Sequence, residues 1–136
     1  MPQQNMLIVD DDERFADLVA RKLERFVRCT VSLRGDDAIL QFEHHLREQA
    51  PFTAVFMDIE MPKMDGHEVV RKMRGIEERN RVDPFKSFKL VMLTAHKDVK
   101  NVSKSFFRGR AEAYIPKETL ASGDLFIEKL KEFKIL

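Results

Sequence analysis

The chain has no tryptophan, one cysteine and one tyrosine, and its formal net charge is only +1. Each shortage excludes something. A lone thiol, Cys29, cannot build an internal disulfide framework, so a packed core must supply the stability, and a reducing compartment suits the chain. Cys29 lies in an alternating apolar stretch and reads as inert packing. A near-neutral charge balance gives no general attraction to nucleic acid or to an anionic surface. No apolar stretch approaches the roughly 20 residues of a membrane helix. The N-terminal Met1-Pro2-Gln3-Gln4-Asn5 lacks the basic segment and apolar core of a secretion signal. A cytoplasmic protein without membrane contact is expected. There is no internal repeat and no low-complexity segment.

What is present is a 136-residue chain, 43% hydrophobic and 35% charged, long enough for one domain with a full core. Apolar runs and helical stripes alternate along it. Residues 6–9 read as a strand, and Asp12 caps a helix over 13–26 with Phe15, Leu18, Val19, Leu23 and Phe26 on one face. A second strand covers 30–33. Gly35-Asp36-Asp37 opens a second helix with Ile39, Phe42 and Leu46 inward, and Pro51 closes it off. A third strand covers 55–58, and a third helix after Gly66 carries Val69, Val70, Met73 and Ile76. The polar segment 77–89 reads as a longer loop, with a fourth strand at 90–93. Val99, Val102 and Phe106 indicate a fourth helix, 113–115 a fifth strand, and 122–134 a last helix with Leu125, Phe126, Leu130 and Phe133 inward.

Five strands alternating with five helices, joined by right-handed crossovers, require a parallel sheet covered on both faces. The expected architecture is a doubly wound (βα)5 sandwich of flavodoxin-like order 2-1-3-4-5, a single domain over 1–136 with its core at about 6–134. No output segment is expected to follow it. The switch point of that order lies between strands one and three, where open α/β sheets bind ligands. Those are the two strands that end in aspartate: Met6-Leu7-Ile8-Val9 runs into Asp10-Asp11-Asp12, and Ala54-Val55-Phe56-Met57 into Asp58. Clustered carboxylates need a cation, and oxygen donors favour a hard one: Mg2+, with Mn2+ as its substitute.

Two further strands place polar groups on the same edge, Thr94 and Lys117. The motifs Leu7-Ile8-Val9-Asp10-Asp11, Met57-Asp58-Ile59-Glu60-Met61-Pro62-Lys63-Met64-Asp65-Gly66, Met92-Leu93-Thr94-Ala95 and Tyr114-Ile115-Pro116-Lys117 follow one another at strand ends. Each is weak alone; together, in order, the chain resembles the response-regulator receiver domain of two-component signalling, similar to the chemotaxis regulators, over nearly its whole length. The resemblance implies that Asp58 is a phosphoacceptor for a sensor histidine kinase or a phosphotransfer protein. It implies that Asp11, Asp10 (through water), Asp58 and the backbone carbonyl of Glu60 hold Mg2+. Thr94 and Tyr114 become the switch pair, Lys117 the partner of Asp58 and of the phosphoryl group, and Glu60 and His96 the residues that tune hydrolysis. A downstream target would dock on the face made by helix four, strand five and helix five. The only catalysis implied is the domain's own phosphorylation and slow dephosphorylation.

Physical chemistry supports these roles independently. A carboxylate can be the nucleophile in phosphoryl transfer, which otherwise needs positioning and charge neutralisation. The alternatives are a phosphate-independent interaction module of the same fold and an Asp-nucleophile phosphohydrolase. The second fits poorly, because Glu60 stands where such enzymes carry a second aspartate. Direct DNA binding finds no support. Phe106, Phe107 and the last helix could serve a dimer. His44, His45 and His67 show no metal-ligand spacing and read as surface helix residues. Asp65-Gly66 reads as a turn and helix start. The chain departs from the family pattern at Glu118, where proline is usual after the lysine; at Gly109 and Arg110, where the usual glycine is displaced; and in the long 77–89 segment. That segment, with Arg79, Arg81, Lys86, Phe85 and Phe88, is expected to be a partner-specific surface.

Overall fold

Successive residues of a strand point to opposite faces of a sheet, and here the two faces carry separate cores. In the computed structural model, residues 3–61, 65–95 and 111–136 are described. The strands are β1 (Asn5–Val9), β2 (Arg28–Ser32), β3 (Phe52–Asp58), β4 (Lys89–Thr94) and β5 (Ala113–Pro116). The helices are α1 (Glu13–Leu23), α2 (Gly35–Arg47), α3 (Gly66–Arg79) and α4 (Leu125–Glu132). All strand pairs are parallel, in the order β2-β1-β3-β4-β5. This is the expected doubly wound sandwich.

On one face, Ile8, Phe56, Val91, Leu93 and Ile115 lie with Ala16, Val19 and Leu23 of α1 and Phe126 and Leu130 of α4. On the other, Leu7, Val9, Val55, Met57, Leu90 and Met92 lie with Phe42 of α2 and Val69, Val70, Met73 and Ile76 of α3. The residues named in both cores are at most 6% exposed. Burying such side chains, each worth about 1.5–3 kcal/mol, holds the strand ends in register.

Several expectations shift. Helix α1 stops at Leu23, because the Phe26 and Val27 amides fold back onto the Leu23 carbonyl, at 2.8 and 3.0 Å. Leu18, Leu125 and Phe133, expected inward, are 41%, 37% and 40% exposed. They sit at the margins of stripes narrower than the sequence pattern suggests. Lys117–Ala121 forms a 3-10 turn that delays α4 to Leu125. The helix expected around Val99, Val102 and Phe106, with Phe107, Gly109 and Arg110, lies outside the described residues.

The 77–89 segment is a loop only in its second half. Helix α3 continues to Arg79, and Glu77 is buried. Its carboxylate accepts from the Phe88 amide at 3.0 Å and from the Ser87 hydroxyl, with Arg74 Nη1 3.5 Å away. The Arg74 guanidinium also covers the Phe88 ring, 3.8 Å from its centroid, and donates to the Phe88 carbonyl. Phe88 is therefore core rather than surface, a correction to the expectation above, while Phe85 is 99% exposed.

Cys29 is half-buried in β2, its thiol pushed up to about 11 by burial and then by the Glu24 carboxylate. Since the thiolate is the nucleophile, alkylation by iodoacetamide at pH 8 is expected to run about 100-fold slower than for a free thiol. A rate matching free cysteine would contradict this placement. The sign for stability follows: a thiol held neutral in the fold leaves stability constant below the ordinary 9.0 and erodes it as pH climbs through about 11.

Candidate functional site

The site is built where β1 and β3, neighbours in the sheet, both end in a carboxylate. Asp10 follows β1 directly. Its amide donates to the Ser32 carbonyl at 3.1 Å, and its Oδ1 accepts the Asp12 amide at 2.9 Å. Asp12 caps α1, accepting from the Arg14 and Phe15 amides, which satisfies donors that a helix start leaves unpaired. Asp58 is the last residue of β3; its Oδ1 accepts the Glu60 amide at 3.1 Å, and the Ile59 amide bonds the Leu93 carbonyl at 3.1 Å. Asp10 is fully buried and Asp58 is 2% exposed, whereas Asp11 lies in solvent.

Lys117 enters from the far side of the sheet, at the start of the turn after β5. Its Nζ lies 2.9 Å from Asp10 Oδ2 and 3.3 Å from Asp58 Oδ1. One ammonium thus faces two buried carboxylates. The Lys117–Glu118 peptide is trans. Thr94 ends β4, fully buried, one residue past the Leu93 that pairs with Asp58. Tyr114 pairs in register with Met92 and packs against the α2–α3 core.

Electrostatics follow from this crowding. Burial raises the Asp10 carboxyl above its ordinary value, with the Asp58 charge acting in the same sense; the Asp12 amide and Lys117 oppose this without cancelling it. For Lys117, burial pulls the ammonium down, but the Asp10 and Asp58 carboxylates outweigh it and the net shift is upward. Asp10 Oδ2 is buried and accepts no hydrogen bond of good geometry from the described residues; Lys117 is its charge partner. Oxygens of Asp10, Asp11 and Asp58 all lie within 4.8 Å of one another. Three carboxylates against one ammonium leave two negative charges in excess. Clustered oxygen donors with negative charge in excess fit a hard divalent cation.

The same crowding gives a stability prediction. The fold holds the Asp10 carboxyl above its ordinary value, so its ionised form is less favoured there than in the unfolded chain and opposes folding at neutral pH. Asp10→Asn keeps the acceptor for the Asp12 amide and leaves Lys117 paired with Asp58. In the absence of divalent cation this variant is expected to gain on the order of 1 kcal/mol, or roughly 3 °C in Tm. A lowered Tm would show that the Lys117 pairing outweighs the burial of charge.

The structure thus brings together Asp10, Asp11, Asp58 and Lys117, and sets Thr94 on the neighbouring strand. Glu60 is exposed at the rim, tied to Asp58 through its amide. His96 and the Pro62-Lys63-Met64 part of the motif lie outside the described residues. Asp65 caps α3 through the His67 amide, as its turn role predicts. His45 is not purely superficial: its ring stacks on Phe52 at 4.2 Å. One neighbour escapes the sequence reading. Phe15 belongs to the α1 core stripe, yet its ring centroid lies 4.4 Å from Lys117 Nζ. The available signal was its place three residues after the Asp12 cap, in the first turn beside the strand end.

Probable histidine kinase 6 of Oryza sativa subsp. japonica is 36% identical over 77 residues, 54% of this chain and 7% of that protein. Sensor protein GacS of Pseudomonas syringae pv. syringae is 32% identical over 113 residues, 82% of this chain and 12% of that protein. The match thus spans only a small part of these curated relatives. The receiver domain of the histidine kinase CKI1 from Arabidopsis thaliana, solved with Mg2+ and BeF3-, superposes with a TM-score of 0.76 at 20% identity, covering 98% of this chain and 91% of that one. Among the described residues no helix is long and apolar enough to cross a membrane. The profile of the response regulator receiver domain matches residues 6–128, nearly the whole sheet and its acidic edge, and the chain belongs to that family of phosphorelay signalling modules.

Proposed function

We propose that the chain is a phosphoacceptor whose nucleophile is Asp58, charged by a phosphohistidine on a sensor kinase or a phosphotransfer protein. The observation that carries this reading is the burial of Asp10 and Asp58 against one lysine, at 2.9 and 3.3 Å, on the carboxyl edge of the sheet. An Asp58 carboxylate oxygen attacks phosphorus, an O–P bond forms, the N–P bond breaks, and the electron pair returns to the imidazole. Lys117 holds Asp58 beforehand and then faces the incoming phosphoryl oxygens. Asp10, Asp11, Asp58 and the Glu60 carbonyl would hold the divalent ion, Mg2+ or Mn2+, which when bound neutralises the phosphoryl charge.

The remaining roles are those that the family resemblance implies. The Thr94 hydroxyl, one strand over from Asp58, meets the phosphoryl group, and Tyr114 follows it, altering the outer surface of β5 and α4 where a target docks. Glu60 and His96 set the lifetime of the acyl phosphate. The chain works as one receiver unit, and its turnover is confined to its own phosphorylation and slow hydrolysis. Phosphoramidate, which carries the same N–P linkage as phosphohistidine, tests the reading. Wild type with Mg2+ is expected to gain one phosphoryl group that hydroxylamine removes; a hydroxylamine-stable adduct would contradict an acyl phosphate.

A further inference from the structure

We propose that Phe15 is a positioning residue for phosphoryl transfer, its ring face holding the Lys117 ammonium against Asp10 and Asp58; the inference rests on the phosphoacceptor reading above. Lysine carries a compact charge on a flexible four-carbon stem, and nothing intrinsic to it selects one rotamer. Here the ammonium has three close neighbours. Asp10 Oδ2 lies at 2.9 Å, Asp58 Oδ1 at 3.3 Å, and the Phe15 ring centroid at 4.4 Å. An ammonium within about 6 Å of an aromatic centroid is attracted by the ring quadrupole, more strongly as water is excluded. Lys117 is only 20% exposed at its side chain.

The ring is itself fixed from below. Phe15 packs partly buried against the α1 core, and its amide is held by the Asp12 carboxylate that caps the helix. The Asp12 amide in turn donates to Asp10 Oδ1. One six-residue turn therefore sets both the acid and the ring that face Lys117, so their spacing moves together. Two carboxylates alone would let the ammonium swing toward Asp10, whose Oδ2 is the nearer. The ring face supplies a third contact on the ammonium, which limits that swing and keeps the ammonium within reach of Asp58.

Two readouts test this. In proton NMR spectra of the metal-free protein, the Lys117 ε-methylene resonances are expected upfield of their ordinary position through the Phe15 ring current. Phe15→Leu should abolish that shift, and Phe15→Tyr should keep it. Phosphoryl uptake from acetyl phosphate should fall about fivefold in Phe15→Leu and in Phe15→Met, which guards against a packing defect, and should recover in Phe15→Tyr. Ordinary Lys117 shifts in wild type, or equal uptake by wild type and Phe15→Leu, would overturn the role of Phe15 alone. Absence of uptake from every variant, wild type included, would overturn the phosphoacceptor reading and this role with it.

Discussion

Asp58→Asn is expected to lose phosphoryl uptake from labelled acetyl phosphate by more than about 100-fold, because an amide oxygen is no nucleophile for phosphorus. The fold should survive the change. The Asn side chain retains an oxygen to accept the Glu60 amide, as Asp58 Oδ1 does at 3.1 Å. Lys117 keeps Asp10 at 2.9 Å, so neither charge is orphaned. One of two buried like charges is removed, and a urea midpoint at or above that of wild type is expected in metal-free buffer. Undiminished labelling of this variant would move the acceptor to another carboxylate, with Asp11, the exposed member of the cluster, the next to examine.

The largest expected loss of stability lies far from that chemistry, at Glu77. Its carboxylate satisfies the buried Phe88 amide and the Ser87 hydroxyl and balances Arg74, whose guanidinium covers the Phe88 ring. Glu77→Ala leaves that amide without a partner and the arginine without its countercharge. The cost should be about 3 kcal/mol, read from the urea midpoint at an unchanged m-value. Glu77→Gln, which keeps one acceptor for the Phe88 amide, should lose less than half as much. A near-neutral Glu77→Ala would mean that the loop around Phe85 is held by packing alone. Because β4 begins at Lys89, directly after this network, the same contacts help to position the strand that ends in Thr94.

How legible all this was in the sequence depends on the range of the interaction. Strand ends were readable because apolar runs stop abruptly at a charged residue, as at Asp10 and Asp58, and because parallel crossovers leave few arrangements for five such strands. The acidic edge was readable for the same reason. Lys117 was legible through its motif, although its position depends on a turn, Lys117–Ala121, that carries no helical stripe. Contacts between distant segments left at most a positional hint, as for Phe15 after the Asp12 cap. Glu77 looks like the start of a polar loop until Phe88 packs beneath Arg74, and Phe15 looks like any core residue of α1 until β5 delivers Lys117 to it. Leu18 and Phe133 misled in the opposite direction, since helical spacing marks a stripe without saying how wide the covering surface is.

On the proposed reading, the carboxylates at the ends of β1 and β3 hold a divalent cation and make Asp58 a phosphoacceptor. Intact-protein mass spectrometry of the wild-type chain after incubation with acetyl phosphate, in Mg2+ and in EDTA, decides this. A gain of one phosphoryl mass in Mg2+, lost in EDTA, is the predicted result. No gain in Mg2+, or an equal gain in EDTA, would contradict it.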